Sequence, residues 1–229
     1  MTERRQNIPA VARPAAIERS DSYDPNCTRC PRLAEFLAET HQRYPGYFAR
    51  PVPSFGATAP RILIVGLAPG MHGANRTGRP FTGDFAGILL YETLYELGLA
   101  TGSESISADD NLKLRNVRIA NSVKCVPPEN KPLPDEIRHC NAYLQVEMRE
   151  LTKVRVILAL GRVAHDAVLM AEGLKRSQFQ FGHGREYSLG PARHLIDSYH
   201  CSRYNTQTRR LTAPMFKKVV ARACELAEL

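Results

Sequence analysis

The sequence predicts an α/β protein in which helices cover both faces of a parallel sheet. The first observation is that short apolar runs rich in β-branched residues alternate with longer amphipathic segments. The second is that these runs stop at glycine or at polar loops, as buried parallel strands do. The third is size, because 229 residues with 43% apolar content can build one substantial core. We therefore expect a single domain over residues 26–229.

A polar segment over residues 1–25 precedes the predicted domain. It is rich in Arg, Ala and Pro and has no hydrophobic period, which indicates a disordered basic arm. The first helix is predicted in CPRLAEFLAETHQRY, where Leu33, Phe36 and Leu37 share one face and Pro45 follows the end.

Strands and helices then alternate along the rest of the chain. The predicted strands are PRILIVG, VRIANSV, VRVILALG and RHLIDSYH. The predicted helices are DFAGILLYETLYELGL, PDEIRHCNAYLQVEMREL, RVAHDAVLMAEG and APMFKKVVARACELAEL. Asp84 is the predicted N-cap of the first of these helices, and the alternating stretch FQFGHGREYSL predicts a small hairpin.

The most unusual residues lie in three loops, each of which follows a predicted strand. These loops are GLAPGMHGANRTGRPFTGD, NSVKCVPP and HCSRYNTQTRR. Ligands of parallel α/β sheets bind beyond the carboxyl ends of the strands. The sequence therefore predicts that one site collects residues from all three loops.

Charge narrows the class of partner. Lys and Arg outnumber Asp and Glu by 31 to 23, which favours a polyanion, and nucleic acid before nucleotides. Much of the excess is arginine, which suits bidentate phosphate contacts. No apolar run is long enough for a membrane span and no apolar signal segment follows the N-terminus. We expect a cytoplasmic monomer that does not associate with membranes.

Six cysteines in a reducing compartment are not expected to form disulfides. Cys27 and Cys30 have the spacing of a metal-binding pair, and with Cys125 and Cys140 they make four thiolates, enough for zinc or an iron-sulfur cluster. The long gap between the two pairs is unlike a compact zinc finger and favours a cluster. The alternative is that Cys140 is a small buried side chain, which is also our interpretation of Cys224.

Three stretches together with the four cysteines resemble the uracil-DNA glycosylase superfamily, and its type b branch, family 5, most of all. The stretches are GLAPGMHGANRTGRPFTGDFAG, RIANSVKCVPPENKP and SYHCSRYNT. The resemblance extends from Cys27 to the end of the chain, and the long glycine-rich motif is far more specific than a lone glycine loop. It implies a three-layer αβα sandwich around a four-stranded parallel sheet, and a 4Fe-4S cluster on the four cysteines.

The resemblance also implies an activity, namely hydrolysis of the N-glycosidic bond of uracil and other deaminated bases in single- or double-stranded DNA. Such an enzyme turns the nucleotide out of the helix and initiates base excision repair. Phe81 then stacks on the base, Asn121 pairs with uracil, and His200 donates to uracil O2 as negative charge develops. Glycines would let the backbone approach the flipped nucleotide at Gly66, Gly70, Gly73 and Gly78, and Ala68 is also predicted to contact the substrate.

The sequence departs from the family 4 pattern at Leu67, where family 4 carries an acid. Type b members share this departure. We assign to Asp84 the role of holding the water that attacks the sugar, alongside its predicted role as an N-cap.

Several residues outside the pocket are candidates for contacts with DNA. Arg76, Arg79 and Arg203 are predicted to contact phosphate, with solvated surface charge as the alternative. Either Arg203 or Tyr204 is predicted to wedge into the gap that the flipped base leaves. Cys201 replaces the proline of the family motif, which removes a φ constraint and is expected to loosen this loop.

Two other functions stay open at this point. One is a damaged-base binding module that has lost turnover, for which Leu67 is the argument. The other is a small iron-sulfur redox protein that binds a nucleotide through its glycine loop.

Overall fold

A computed structural model describes residues 21–229 of the chain, which form an α/β fold around one six-stranded sheet. The strand order is β1-β3-β2-β4-β6-β5. The four central strands are parallel, and both edge strands are antiparallel to their neighbours. The strands are β1 (Phe55–Gly56), β2 (Ile62–Gly66), β3 (Val117–Asn121), β4 (Val156–Leu160), β5 (Glu186–Ser188) and β6 (His194–Ser198).

Seven α-helices accompany the sheet within residues 21–229. They are α1 (Pro31–Arg43), α2 (Ala74–Thr77), α3 (Phe85–Glu96), α4 (Pro134–Glu150), α5 (Arg162–Ala171), α6 (Arg203–Gln207) and α7 (Ala213–Leu226). Helices α3 and α7 pack on one face of the sheet, whereas α4 and α5 pack on the other. The predicted three-layer αβα arrangement is confirmed.

Strand β2 lies at the centre of the core because all five of its residues are buried. Ile62 and Ile64 belong to the apolar cluster under α3 and α7, while Leu63 and Val65 belong to the cluster under α4 and α5. Alternate side chains of a strand point to opposite faces, so a continuous apolar run suits a strand covered on both sides.

The predicted parallel strands form the centre of the sheet, but the prediction of the edges was incomplete. Strand β1 was not predicted, because two residues are too short to produce a hydrophobic pattern. Gly56 has φ +127°, a conformation that favours glycine, and lies against the backbone of Val117. The predicted hairpin within FQFGHGREYSL is wrong, since β5 pairs with β6 instead.

Tyr23, near the end of the predicted arm, packs against the domain. Tyr23 is buried, and its hydroxyl donates a hydrogen bond of 2.6 Å to the carbonyl of Pro51. A buried aromatic ring with a satisfied hydroxyl ties this part of the chain to the domain. The rest of the predicted arm, residues 1–20, lies outside the described residues. Within residues 21–229, no helix is both long and apolar enough to span a membrane.

Candidate active site

Side chains from three separated loops meet at the carboxyl end of the sheet. The rings of Phe81 and His200 are stacked, with centroids 5.8 Å apart and planes 28° apart. A Cβ atom added to Gly66 would lie 2.6 Å from Asn121 Oδ1 and 2.7 Å from Phe81 Cζ. An aromatic ring, an amide and an imidazole therefore surround the end of β2, and only glycine fits between the first two.

Phe81 is held in a strained backbone conformation. Its φ of 55° lies in the left-handed region, which costs a non-glycine residue about 1–3 kcal/mol. The hydroxyl of Tyr91 donates 2.8 Å to the carbonyl of Pro80, one residue before it. A Cβ atom at Gly87 would collide with the carbonyl oxygen of Phe81. Tyr91 and Gly87, which the sequence prediction missed, thus hold the aromatic ring in place.

Asn121 is the last residue of β3, and its side chain is buried. Its Oδ1 atom has no hydrogen-bond partner among the described residues. Ser122 fixes the backbone beside it, because both its N–H and its hydroxyl donate to the carbonyl of Gly66, at 2.9 and 2.8 Å. An unsatisfied buried carbonyl costs about 1–3 kcal/mol, so a rigid acceptor of this kind is a marker of a binding site.

The two oxygens of the Asp84 carboxylate lie in different surroundings. Oδ1 accepts a hydrogen bond of 2.9 Å from the N–H of Gly87, which confirms the predicted N-cap of α3. Oδ2 faces the glycine-rich loop, where a Cβ atom at Gly70 would lie 3.6 Å away and one at Gly73 would clash. Burial raises the pKa of Asp84, against the effect of its backbone hydrogen bonds.

His200 is neutral at pH 7, because desolvation lowers its pKa to about 4. Its backbone carbonyl accepts a hydrogen bond of 2.8 Å from Asn205 Nδ2. The next residue, Cys201, is fully buried, and burial raises the pKa of its thiol. The thiol that replaces the motif proline is therefore an inert core side chain.

The three predicted phosphate-contacting arginines differ in exposure. Arg76 and Arg203 are exposed, and the guanidinium of Arg203 lies 5.0 Å from the centre of the Phe85 ring. Arg79 is only 5% exposed and forms an ion pair of 2.5 Å with Asp110. Its guanidinium also lies over the ring of Phe55. The guanidinium of Arg79 is thus paired with a carboxylate and an aromatic ring inside the protein.

The other residues predicted to contact the substrate lie in the glycine-rich loop. Gly70 faces Asp84, as described above. Ala68 is half-buried and packs on the apolar cluster that contains the cysteines. Leu67, at the position of the family 4 acid, accepts a backbone hydrogen bond of 3.0 Å from Val123.

The four predicted metal ligands line one cavity, together with Leu33, Val123 and Tyr143. Its cysteines are Cys27, Cys30, Cys125 and Cys140. The backbone N–H of Lys124 points at Cys140 Sγ, 3.2 Å away. Burial and the neighbouring thiols raise the pKa of Cys30 to about 11. Within residues 21–229, no group of three or more His, Cys, Asp or Glu side chains has an arrangement that could hold a metal ion.

These features define a doubly wound α/β protein with a site for a planar ring at the carboxyl end of its sheet. Comparison with known proteins identifies the superfamily to which this α/β protein belongs. Residues 53–224 match the family model described as the uracil DNA glycosylase superfamily. The chain belongs to the uracil DNA glycosylase superfamily.

Relatives in this superfamily cover most of the chain. The Type-5 uracil-DNA glycosylase of Thermus thermophilus is 50% identical over 89% of this chain and 94% of its own length. The Type-5 enzyme of Pyrobaculum aerophilum is 40% identical over 86% of this chain and 88% of its own length. The Type-4 uracil-DNA glycosylase of Archaeoglobus fulgidus is 32% identical over 73% of this chain and 79% of its own length.

Proposed function

We propose that this protein is a monofunctional uracil-DNA glycosylase, which hydrolyses the bond between uracil and deoxyribose and leaves an abasic site. Family membership and the Type-5 and Type-4 relatives support this activity. One observation carries the residue assignments, namely the buried and unpaired Oδ1 of Asn121 beside the ring of Phe81. Uracil has an N–H at N3 that satisfies such an acceptor, whereas cytosine has a lone pair there.

The nucleotide must leave the base stack before its glycosidic bond is accessible, at a cost of a few kcal/mol. Stacking on an aromatic ring returns about 1–3 kcal/mol per base, and we assign this role to Phe81. Its strained backbone supports the assignment, because such strain persists where the surrounding structure enforces it. The backbone of Gly66 and Gly70 gives the base and sugar room to approach.

Cleavage breaks the C1′–N1 bond, and its electron pair departs with the uracil. A neutral His200 still carries one N–H, which we assign as the donor to O2 of the departing base. Water adds to C1′ and releases a proton, which neutralises the departing uracil anion. We assign Asp84 to holding this water through Oδ2, while Oδ1 remains bonded to α3.

We further propose that Arg76 and Arg203 contact DNA phosphates and that Tyr204 fills the gap in duplex DNA. Tyr204 is 71% exposed and lies four residues after His200. Arg203, the other candidate for this role, instead lies against Phe85. Both single- and double-stranded DNA are therefore proposed substrates, and hypoxanthine is among the other deaminated bases that we expect the site to accept.

We propose a 4Fe-4S cluster as the cofactor, held in the cysteine cavity. Such a cluster takes one thiolate at each of its four iron atoms, so it does not need three ligands converging on a single metal ion. Four thiols from three separate segments line this cavity, and a backbone N–H is aimed at one sulfur. Cys27, Cys30, Cys125 and Cys140 would hold the cluster, which joins the start of α1 to α4 and to the loop after β3. We assign it a bracing role, since none of the steps above requires an electron.

Base release from uracil-containing oligonucleotides tests the proposed activity. Each oligonucleotide carries one uracil, cytosine or hypoxanthine, and treatment with alkali breaks the strand wherever a base was released. We expect scission at uracil and hypoxanthine and none at cytosine. A mobility shift without scission would instead identify a protein that binds damaged bases and does not cleave them.

A further inference from the structure

We propose that His183 is a positioning residue for His200, which it orients by fixing the backbone of Tyr199. This inference rests on the proposed glycosylase activity. His183 lies in segment 179–185, between α5 and β5, and far along the chain from the glycine-rich motif. Its side chain contacts Ser198 and Tyr199, which directly precede His200.

The contact that carries the proposal is a backbone hydrogen bond. The N–H of Tyr199 donates to Nδ1 of His183 at 3.2 Å, and Ser198 Oγ lies 3.4 Å from the same nitrogen. A backbone N–H is only a donor, so Nδ1 must present a lone pair. The imidazole is therefore neutral and carries its proton on Nε2.

Ring contacts strengthen this arrangement. The rings of His183 and Tyr199 are stacked, with centroids 5.1 Å apart and planes 18° apart. The guanidinium of Arg210 also lies over the Tyr199 ring, 4.6 Å from its centre. Tyr199 is thus held through its backbone and through its ring.

His200 follows directly and is fixed on its other side by Asn205, which donates to its carbonyl. The backbone is therefore tethered before and after the imidazole that stacks on Phe81. A displacement of about 1 Å in a catalytic group can reduce a rate roughly 100-fold. Loss of the tether at Tyr199 should affect the rate more than DNA binding.

Hydrogen bonds tie segment 179–185 to the rest of the fold. Backbone hydrogen bonds of 2.8 and 2.9 Å join Gly184 and Arg185 to Asp197 of β6. The side chain of Asp197 is buried and lies 2.8 Å from His165 Nδ1, while His165 Nε2 donates to the carbonyl of Phe179 at 3.0 Å. This segment is thereby fixed to both α5 and β6.

Two amide substitutions of His183 test whether the acceptor must lie at the place of Nδ1 or whether any polar side chain is sufficient. In His183→Asn the amide oxygen can occupy the place of Nδ1, whereas in His183→Gln it lies farther out, near the place of Nε2. Both variants lose the stacked ring to the same extent. His194→Gln, at the opposite end of β6, is the matched control.

The measurement is the single-turnover rate of uracil release from a single-stranded oligonucleotide, together with DNA affinity and melting temperature. We expect H183Q to release uracil roughly 10- to 100-fold more slowly than wild type. H183N should stay within about threefold of wild type, and DNA affinity should change little in either variant. Equal rates for H183N and H183Q, or a loss of affinity that matches the loss of rate, would overturn the proposal.

A tautomer measurement provides a second test that does not depend on activity. In ¹⁵N-histidine-labelled protein, we expect the His183 signals to report a proton on Nε2 and none on Nδ1 at neutral pH. A proton on Nδ1 would contradict the inferred hydrogen bond, even if a variant failed to fold. If wild-type protein released no uracil, the glycosylase proposal would fail, whereas a fully active H183Q would refute only the role of His183.

Discussion

The base site and the cysteine cavity are built differently, although one loop serves both. Strand β3 ends with Asn121 at the base site, and the loop that follows reaches Cys125 at the cavity four residues later. At the base site, hydrogen bonds within the protein fix the side chains. The N–H of Gly87 donates to Asp84, and the hydroxyl of Tyr91 donates to the carbonyl of Pro80, next to Phe81. In the cavity, burial and mutual proximity disfavour the thiolate form of the cysteines.

The two regions therefore depend on different interactions for their stability. The base site is preorganised, so its side chains can be exchanged with small effects on stability and large effects on rate. Four thiolates close together require a cation to offset their charge, which an iron-sulfur cluster supplies. Substitutions in the cavity should therefore change stability before they change chemistry.

The largest expected effect belongs to Asp84→Asn. Asparagine caps helices about as well as aspartate, so α3 should remain intact while the carboxylate is lost. We expect uracil release to slow roughly 100- to 10,000-fold, with the melting temperature almost unchanged. Single-turnover assays and thermal unfolding measure the two quantities, and Asp109→Asn, in the loop after α3, is the control.

The same carboxylate predicts a pH dependence. Burial raises the pKa of Asp84, so its carboxylate is protonated, and activity lost, as the pH falls through a value above the ordinary one. His200 contributes no titration near neutrality, because its pKa is about 4. A wild-type rate that rises on acidification from pH 7 to pH 5 would contradict both assignments.

Asn121→Ala should lower the rate of uracil release without lowering the stability of the protein. Uracil release should fall roughly 100-fold, since the acceptor for N3–H is lost. The free energy of unfolding should stay the same or rise by about 1 kcal/mol, because an unsatisfied buried carbonyl is removed. A variant that is less stable and still selective for uracil would place Asn121 outside the pocket.

Cys27→Ser tests the other region. We expect loss of iron and of the brown absorbance, and a melting temperature lower by roughly 6–12 °C for a loss of about 3 kcal/mol. Cys224→Ser, at a half-buried position on α7, should keep both the colour and the stability. A colourless wild-type protein that contains zinc would rule out the cluster.

The smallest effect is expected for Tyr204→Ala. An exposed side chain that fills the gap in a duplex is not needed on a single strand. We expect uracil release from duplex DNA to slow about fivefold and release from single-stranded DNA to be unchanged, as base stacking is worth roughly 1–3 kcal/mol. Equal losses on both substrates would exclude the wedge role.

Much of the fold could be predicted because it follows from local patterns. Buried strands such as Ile62–Gly66 are continuous apolar runs, and Asp84 is a typical N-cap residue that marks the start of α3. No local pattern predicts that Arg79 is buried. It lies in the glycine-rich motif, where an arginine is expected to contact phosphate. Its burial depends on Asp110, a partner 31 residues away, whose position no local pattern specifies.

The sequence by itself determined the alternation of strands and helices, the position of the polar loops at strand ends, and the residue types available for chemistry. Only the tertiary structure decided that β2 lies between β3 and β4, which brings Gly66, Phe81 and Asn121 together. It alone brought His183 beneath Tyr199 and four cysteines around one cavity. The physical reason is that helix and strand patterns arise between near neighbours in the chain, whereas these contacts join distant segments through packing of the whole core.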